Sequence, residues 1–347
     1  MTIEPKESQT TRRDFLKGMA ALLLTAEVGL GLNDQPQETT QTSLKLSPDQ
    51  MGVNLSPKRI NWLGLNFRQT INDILALPFG NVRIAVPFDV AYGYNGKADY
   101  STIDFCINEA IKKGKRIALQ MGVKTIWWPE VHVPKDLEEK FPYLKHPGQI
   151  DTDPEFRDLV FKLLTDVSER FLPIREITSI QVENEAFSQR LPLTNYRYVS
   201  PEFNLQDVQM VRSLDPYRRP ILQNIPFDTP ELILHVIENS DILGINIYNQ
   251  ADKAMPPWSV IQALASLCRV FGKGVKVPEL QMFPWTDNKM GAVYPYEAGK
   301  AQRGLIETYG LKPETVYIWD VEQYFWRKVS GISEPILPDL ENLAEAA

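Results

Sequence analysis

The sequence predicts an α/β fold of the (β/α)8 barrel type, and three observations carry that expectation. From residue 58 the chain repeats one unit, a short apolar and β-branched run followed by a longer stretch of helical periodicity. Eight such units fill roughly 275 residues, the size of a (β/α)8 barrel. The runs are almost continuously apolar, as expected of parallel strands buried on both faces with helices packed outside them. The rival is an open doubly wound sheet, which usually has fewer strands and, where it binds nucleotides, a Gly-rich turn after the first strand. No GxGxxG or GxxxxGK[ST] motif occurs in the chain.

The run Ile60-Asn61-Trp62-Leu63-Gly64-Leu65-Asn66-Phe67 reads as the first strand, and Asn81-Val82-Arg83-Ile84-Ala85-Val86-Pro87 as the second. Ser101 offers a helix cap with Asp104 three residues on, and Ile103, Cys106, Ile107, Ala110 and Ile111 then share one face. Arg116–Met121 is the third strand. Residues 154–171 place Phe156, Leu159, Val160, Leu163, Leu164 and Val167 on one stripe, the pattern of an amphipathic helix. Glu176–Val182 and Pro220–Asn224 are the fourth and fifth strands. Asp228 or Thr229 stands where a cap is needed for a helix over Pro230–Glu238. Asp241–Tyr248 is the sixth strand, residues 259–271 the helix after it, and Val275–Gln281 the seventh strand. A last linking helix over 296–309 leads to the eighth strand, Thr315–Asp320. Pro87, Asn224 and Pro278 fall near strand C-termini, the end at which a barrel carries its chemistry.

The working domain spans 51–330, followed by a C-terminal tail over 331–347. Residues 1–50 are a separate leader and linker. Thr11-Arg12-Arg13-Asp14-Phe15-Leu16-Lys17 precedes a short apolar stretch that Glu27 interrupts, a pattern that resembles a twin-arginine export signal. The apolar stretch is short for a membrane span. The expectation is export to the periplasm or beyond, with the twin-arginine machinery as a partner; an amphipathic N-terminal helix that happens to carry Arg-Arg is the alternative. Residues 33–50, rich in Gln, Thr, Asp and Pro, read as a flexible linker.

Composition narrows the function. Lys plus Arg number 37 and Asp plus Glu 44, a formal net charge of −7. No basic face of the kind a nucleic-acid partner needs is visible. Two cysteines, Cys106 and Cys268, exclude a disulfide scaffold and a cysteine-rich metal site, and both fall on apolar helix faces as buried thiols would. Three histidines, His132, His146 and His235, are too few and too scattered for a His-rich metal centre.

The chemistry lies at the strand ends. Val182-Glu183-Asn184-Glu185 closes the fourth strand and Pro278-Glu279-Leu280-Gln281 the seventh. These strands face each other across a barrel mouth, so Glu185 and Glu279 can flank one cleft. Glycosidic bond cleavage needs such a pair, one carboxyl protonated to donate to the leaving oxygen and one ionised to attack the anomeric carbon. Arg83, polar within an apolar strand, is placed to keep Glu279 ionised. Tyr248 ends the sixth strand and can donate its hydroxyl to the same group. Asn184 is placed for a sugar hydroxyl, and Trp319, at the end of the eighth strand, for a platform under the sugar ring. Trp62, Trp285 and Trp326 are further rim candidates. Glu183 reads as structural. His235 reads as a helix residue without a role in the site. The excursion 123–152, with Trp127, Trp128, His132 and His146, reads either as a subsite wall or as a loop anchored by its tryptophans. Tyr92 and Tyr94 stand near a second wall.

The Asn184-Glu185 pair, Glu279, Arg83, Tyr248 and Trp319 together resemble the retaining glycoside hydrolases of the large barrel clan that includes endoglucanases and β-mannanases. The resemblance covers about residues 58–328. It implies Glu185 as acid/base, Glu279 as nucleophile, the others as support, an oligosaccharide or polysaccharide substrate, and no cofactor. Many cellulase-like members carry His on the third strand and before the Tyr of the sixth; here Gln120 or Gly122, and Asn246, stand in those places. A transglycosylase using the same glutamates and a non-catalytic carbohydrate-binding barrel are the alternatives.

Overall fold

A computed structural model describes residues 46–92, 98–126, 130–189, 197–248, 258–282, 308 and 310–331. Eight strands form a closed barrel: β1 (Met51–Leu55), β2 (Asn81–Pro87), β3 (Arg116–Gly122), β4 (Ile177–Val182), β5 (Ile221–Asn224), β6 (Ile242–Gly244), β7 (Gly274–Gln281) and β8 (Val316–Trp319). Each pairs parallel with the next, and β8 pairs with β1 to close the ring. Among the described residues, helices follow β1 to β6 and β8 and pack outside the barrel, as the alternation of apolar runs and helical periods requires.

The first strand departs from expectation. Ile60–Phe67 is not a strand. Ser56 accepts a hydrogen bond from the Arg59 amide at 3.4 Å and Pro57 occupies the first helical position, so helix α1 starts at Pro57 and runs to Trp62. Asn66 then caps α2 (Phe67–Ala76) by accepting from the Gln69 amide at 3.0 Å. The strand is Met-Gly-Val-Asn-Leu at 51–55, buried throughout. A Cβ on Gly52 would stand 2.7 Å from the Tyr317 ring, so glycine is what lets β8 close against β1.

Two expected caps also differ. Ser101 is the first residue of α3 (Ser101–Lys112), and Asp99 accepts from its amide at 3.0 Å. The helix α4 (Pro154–Phe171) begins as expected, with Asp153 accepting from the Glu155 and Phe156 amides. Thr229 stands at the N-cap of the 3-10 turn Pro230–Leu232 without a side-chain cap bond, and the Asp228 carboxylate takes the Ser188 hydroxyl at 3.0 Å and the Gln189 amide at 2.8 Å, in the segment after β4. Further helices are α5 (Pro201–Leu214), α6 (Ile233–Asn239), α7 (Trp258–Val270) and α8 (Val321–Val329). Cys106 and Cys268 are buried free thiols on α3 and α7. The leader, Tyr94, Trp127, Trp128, Trp285, most of the expected helix over 296–309, and the tail beyond residue 331 lie outside the described residues. No described helix is long and apolar enough to cross a membrane.

A buried polar knot joins the first and last units. The Arg59 guanidinium forks onto Asp320 at 2.8 and 2.7 Å and reaches Gln323 at 2.8 Å, while the Ser56 amide donates to Glu322 at 2.6 Å. Burial, with Asp320 alongside, pushes the Glu322 carboxyl up to about 8. A buried carboxyl of this kind holds its proton more tightly folded than unfolded. Its contribution to stability is therefore complete below the unfolded pKa of 4.5 and is lost as pH rises through about 8. Glu322→Gln keeps an acceptor for Ser56 and carries no charge. Thermal melts of both proteins from about pH 6 to about pH 9 should show the variant gaining on the parent as pH rises, by on the order of 2–4 °C for each kcal/mol recovered. Parallel curves would exclude a titrating Glu322.

Candidate active site

Glu279 owes its position to an irregularity in β7. Val277 pairs with Val316 but Leu280 with Ile318, so β7 carries one extra residue across the span that holds Pro278 and Glu279. Proline supplies no amide to the ladder, which is why it is tolerated at such a bulge, and a bulge re-aims the neighbouring side chain. The freed Pro278 carbonyl accepts from Asn54 Nδ2 at 2.9 Å and from Arg83 Nη1 at 3.4 Å.

Arg83 organises this side of the mouth. Rooted in β2, it reaches Asn54 Oδ1 on β1 at 3.1 Å, Glu279 Oε1 on β7 at 3.3 Å and Asn184 Oδ1 after β4 at 2.8 Å. Arg83 is 1% and Glu279 2% exposed. Burial draws the guanidinium below its ordinary pKa, and the Glu279 carboxylate works against that shift. The other Glu279 oxygen receives the Tyr248 hydroxyl in a short hydrogen bond. Tyr248 lies past the end of β6, yet the chain stays alongside β7: the Ile245 amide donates to the Lys276 backbone carbonyl at 3.0 Å, that of Ile247 to the Glu279 backbone carbonyl at 2.8 Å, and that of Gln281 to the Ile247 backbone carbonyl at 2.9 Å. Burial first, then the Glu279 charge, hold the Tyr248 phenol well above its ordinary pKa, so it remains a donor.

Glu185 follows β4 through two left-handed residues, Glu183 at φ 61° and Glu185 itself at φ 43°. Glu183 plays the structural part. Its carboxylate accepts the Val123 amide at 2.9 Å and the Lys124 amide at 2.6 Å, stitching the end of β4 to the end of β3. Gly122, at φ 135°, makes room, since a Cβ there would meet that carboxylate at 2.5 Å. Burial pushes Glu183 up to about 7. Glu185 Oε1 accepts from Asn246 Nδ2 at 2.6 Å, and its amide donates to Asn224 Oδ1 at 3.3 Å. Burial, then the Glu279 charge, raise the Glu185 pKa above that of a free carboxyl.

Asn246 joins the two halves. Its Nδ2 touches Glu185 and also the Tyr248 hydroxyl at 3.3 Å, and that hydroxyl donates to Glu279. Asn224 Nδ2 donates to Asn246 Oδ1 at 3.1 Å, and Gln181 Nε2 donates to Asn224 Oδ1 at 2.5 Å and to Asn184 Oδ1 at 3.2 Å. With its oxygen engaged by Arg83 and Gln181, the Asn184 amide orientation is set. Trp319 ends β8 at 9% exposure, its ring edge-on to Tyr248 at 6.1 Å and 89°.

The structure thus brings together six residues expected from sequence: Arg83, Asn184, Glu185, Tyr248, Glu279 and Trp319. Trp62 ends α1 with the Arg59 guanidinium 4.8 Å over its ring, and Trp326 stands on α8, so both ride on helices rather than strand ends. Asn54, Gln181 and Lys124 belong to the network and carried no sequence signal beyond polarity near a strand end. His132 is buried and receives Lys58 at its Nδ1, 2.9 Å away, while Lys58 also pairs with Asp89. His235 packs edge-on against Phe187 at 5.4 Å. Among the described residues no group of three or more His, Cys, Asp or Glu is placed to hold a metal ion.

No family model matches the chain, and no curated protein does. Solved structures share its architecture at low identity. A β-galactosidase from the psychrophilic Marinomonas ef1 aligns at TM-score 0.57 and 14% identity, over 78% of this chain and 53% of its own. An exo-β-1,4-mannosidase from Opitutaceae bacterium strain TAV5 aligns at 0.59 and 13%, over 89% and 62%. An endo-1,4-β-mannanase from Rhizomucor miehei aligns at 0.56 and 12%, over 87% and 98%. This chain therefore spans less than two thirds of the first two proteins and nearly all of the third, and what it shares with them is the barrel.

Proposed function

We propose that this chain is a retaining β-glycoside hydrolase that works by double displacement. One observation carries the reading: two carboxyls at the ends of opposed strands, the buried Glu279 and the half-buried Glu185, linked through Asn246 and Tyr248, with a guanidinium on only one of them. Arg83 and Tyr248 stabilise negative charge on Glu279 and aim its oxygens, which suits a nucleophile. Burial and the nearby Glu279 charge favour the protonated form of Glu185, which suits a general acid. Glu279 would attack the anomeric carbon while Glu185 protonates the departing oxygen. Forming the ester consumes the Glu279 charge, so the repulsion that raised Glu185 is relieved and the carboxylate is ready to deprotonate the incoming water. Asn184 would hold a sugar hydroxyl, and the Trp319 ring would bear the apolar face of the pyranose. The barrel shared with a β-galactosidase, a β-mannosidase and a β-mannanase supports β-linked sugars as the substrate class. A screen of β-1,4-, β-1,3- and mannose-based oligosaccharides identifies the sugar.

Glu185→Ala should lower turnover of glycosides with poor leaving groups by about 10²–10⁴-fold and leave formation of the sugar ester from activated aryl glycosides far less affected. Single-turnover kinetics on both substrate types measure this. Equal losses would assign Glu185 to binding or folding.

Glu279→Ala should abolish hydrolysis, with azide restoring turnover of an activated glycoside as the opposite anomer. Proton NMR of the first sugar released by the parent enzyme checks the stereochemistry. Retaining pairs stand about 5–5.5 Å apart and inverting pairs about 6.5–9.5 Å, and an inverted first product would remove Glu279 as nucleophile.

We propose further, from the Arg12-Arg13 pair ahead of the apolar stretch, that the leader directs export through the twin-arginine route. Replacing both with Lys should retain the protein in the cytosol on fractionation; unchanged export would refute the assignment.

A further inference from the structure

Lys124 has no step in the double displacement, yet it is the most heavily engaged cation on the acid side of the mouth. Its side chain is wholly buried, two residues beyond the end of β3. The ammonium donates to the Glu185 carbonyl at 2.6 Å and to that of Ser188 at 3.4 Å, with Glu130 Oε2 at 3.9 Å. Its backbone is tied to the same segment. The Lys124 amide donates to the Glu183 carboxylate at 2.6 Å, and its carbonyl accepts the Asn184 amide at 2.8 Å and Gln120 Nε2 at 3.0 Å. One residue thus grips Glu183, Asn184 and Glu185 in succession.

That grip falls where the chain most needs one. Glu183 and Glu185 both hold left-handed backbone that L-residues with long side chains avoid, and such conformations persist only when the surroundings over-determine them. An ammonium on the Glu185 carbonyl is a charge-assisted hydrogen bond, the stronger kind. It fixes the peptide from which the carboxyl is hung.

The charges around it are these. Glu130 faces Lys124 from the segment after β3, Glu183 and Glu185 from the end of β4, and Asp228 from the segment after β5. Glu185 in turn faces Glu279 from β7, Lys124 and Asp228, with Asn246 as a neutral donor. Burial draws the ammonium's pKa down and the four carboxylates oppose it. Lys124 is the cation among the groups acting on Glu185, and it favours the ionised form against burial and Glu279.

We propose that Lys124 is the positioning residue of Glu185, holding the strained peptide of the acid/base from inside the mouth and setting its proton affinity by its charge. This rests on Glu185 being the general acid. The test is the pH profile of kcat/KM on a β-1,4-linked manno-oligosaccharide, a poor-leaving-group substrate, for the parent and for Lys124→Gln, Lys124→Met and Lys124→Arg.

The basic limb of that profile reports the acid. Removing the cation should move it to higher pH by at least about half a unit in the Gln and Met variants, and Arg, which keeps the charge, should leave it in place. Activity at the optimum should fall about 10–100-fold in the Met variant, which loses both carbonyl contacts, and less in Gln, which keeps a donor. Circular dichroism verifies folding, and Gln supplies the answer if Met does not fold. A basic limb unmoved in the neutral variants overturns the proposal; a residue that only stabilised the fold would lower the melting temperature and leave the limb alone. Glu185→Ala run alongside separates the two readings. If its profile keeps the basic limb, the acid assignment itself fails. If the limb vanishes there but does not shift in Lys124→Gln, the positioning role alone fails.

Discussion

Arg83 carries a permanent charge to a place where it is 1% exposed, and a buried charge persists only when it is paired and hydrogen-bonded. Its guanidinium is a rigid planar fork, so its partners must come to it in fixed directions. They come from three other strands: Asn54 from β1, the Pro278 carbonyl and Glu279 from β7, and Asn184 from the end of β4. The bulge in β7 follows from this requirement. A regular strand would commit its carbonyls to the ladder, whereas the interruption at Pro278 frees one for Asn54 and Arg83 and turns the next side chain toward the same cation. Removing any one partner leaves a buried donor or acceptor unmade, which costs more than the bond itself contributes.

The opposite side of the mouth is built on backbone strain rather than on one charge. Glu130, Glu183 and Glu185 all have positive φ, and they lie on the two segments that follow β3 and β4. Such residues cost on the order of 1–3 kcal/mol each unless neighbours hold them. Here the holding groups are polar: the buried Glu183 carboxylate on two amides, the buried Lys124 ammonium on two carbonyls, and the half-buried Asp228 on Ser188 and Gln189. The result is a carboxyl, Glu185, whose direction is set by its backbone, while the direction of Glu279 is set by what its oxygens touch.

Most of the barrel was legible in the sequence because parallel strands covered on both faces write themselves as unbroken apolar runs. Strands β2, β3, β4, β5, β7 and β8 lie within a residue or two of where those runs place them. The exception has a physical cause. Met51–Leu55 includes Gly52 and Asn54, one needed for the approach of Tyr317 and the other for Arg83, so the strand is too short and too polar to stand out beside a linker. The stronger apolar run over 60–67 belongs to a helix end, a Gly64 turn and the next helix start. The expected sixth strand over Asp241–Tyr248 covers both regular β6 and an irregular continuation that only backbone hydrogen bonds reveal. Glu185, Glu279 and Arg83 could be picked out because each is a charged residue within an apolar run or at the C-terminal end of one. Lys124 could not, because its role depends on the carbonyls it meets, and a buried lysine is spelled like an exposed one.

Two glutamates of identical chemistry are held in different environments within one cleft, and the difference lies in the neutral residues as much as in the charged ones. Asn246 and Tyr248 stand two residues apart on the continuation of β6, so their side chains emerge on the same side, one over each carboxyl. Each donates a hydrogen bond to its glutamate, so hydrogen bonding alone does not distinguish the pair. The guanidinium does, since Arg83 reaches Glu279 on the side away from Asn246, and Lys124 reaches only the backbone of Glu185. The two cations are placed unequally: Arg83 bonds the Glu279 carboxylate directly, while Lys124 stands behind the Glu185 carbonyl, where burial and the Glu279 charge outweigh it and raise the Glu185 pKa. Exchanging the two would require moving a charge between strands, not merely altering a side chain, and that ties the proposed division of roles to the order of strands in the barrel.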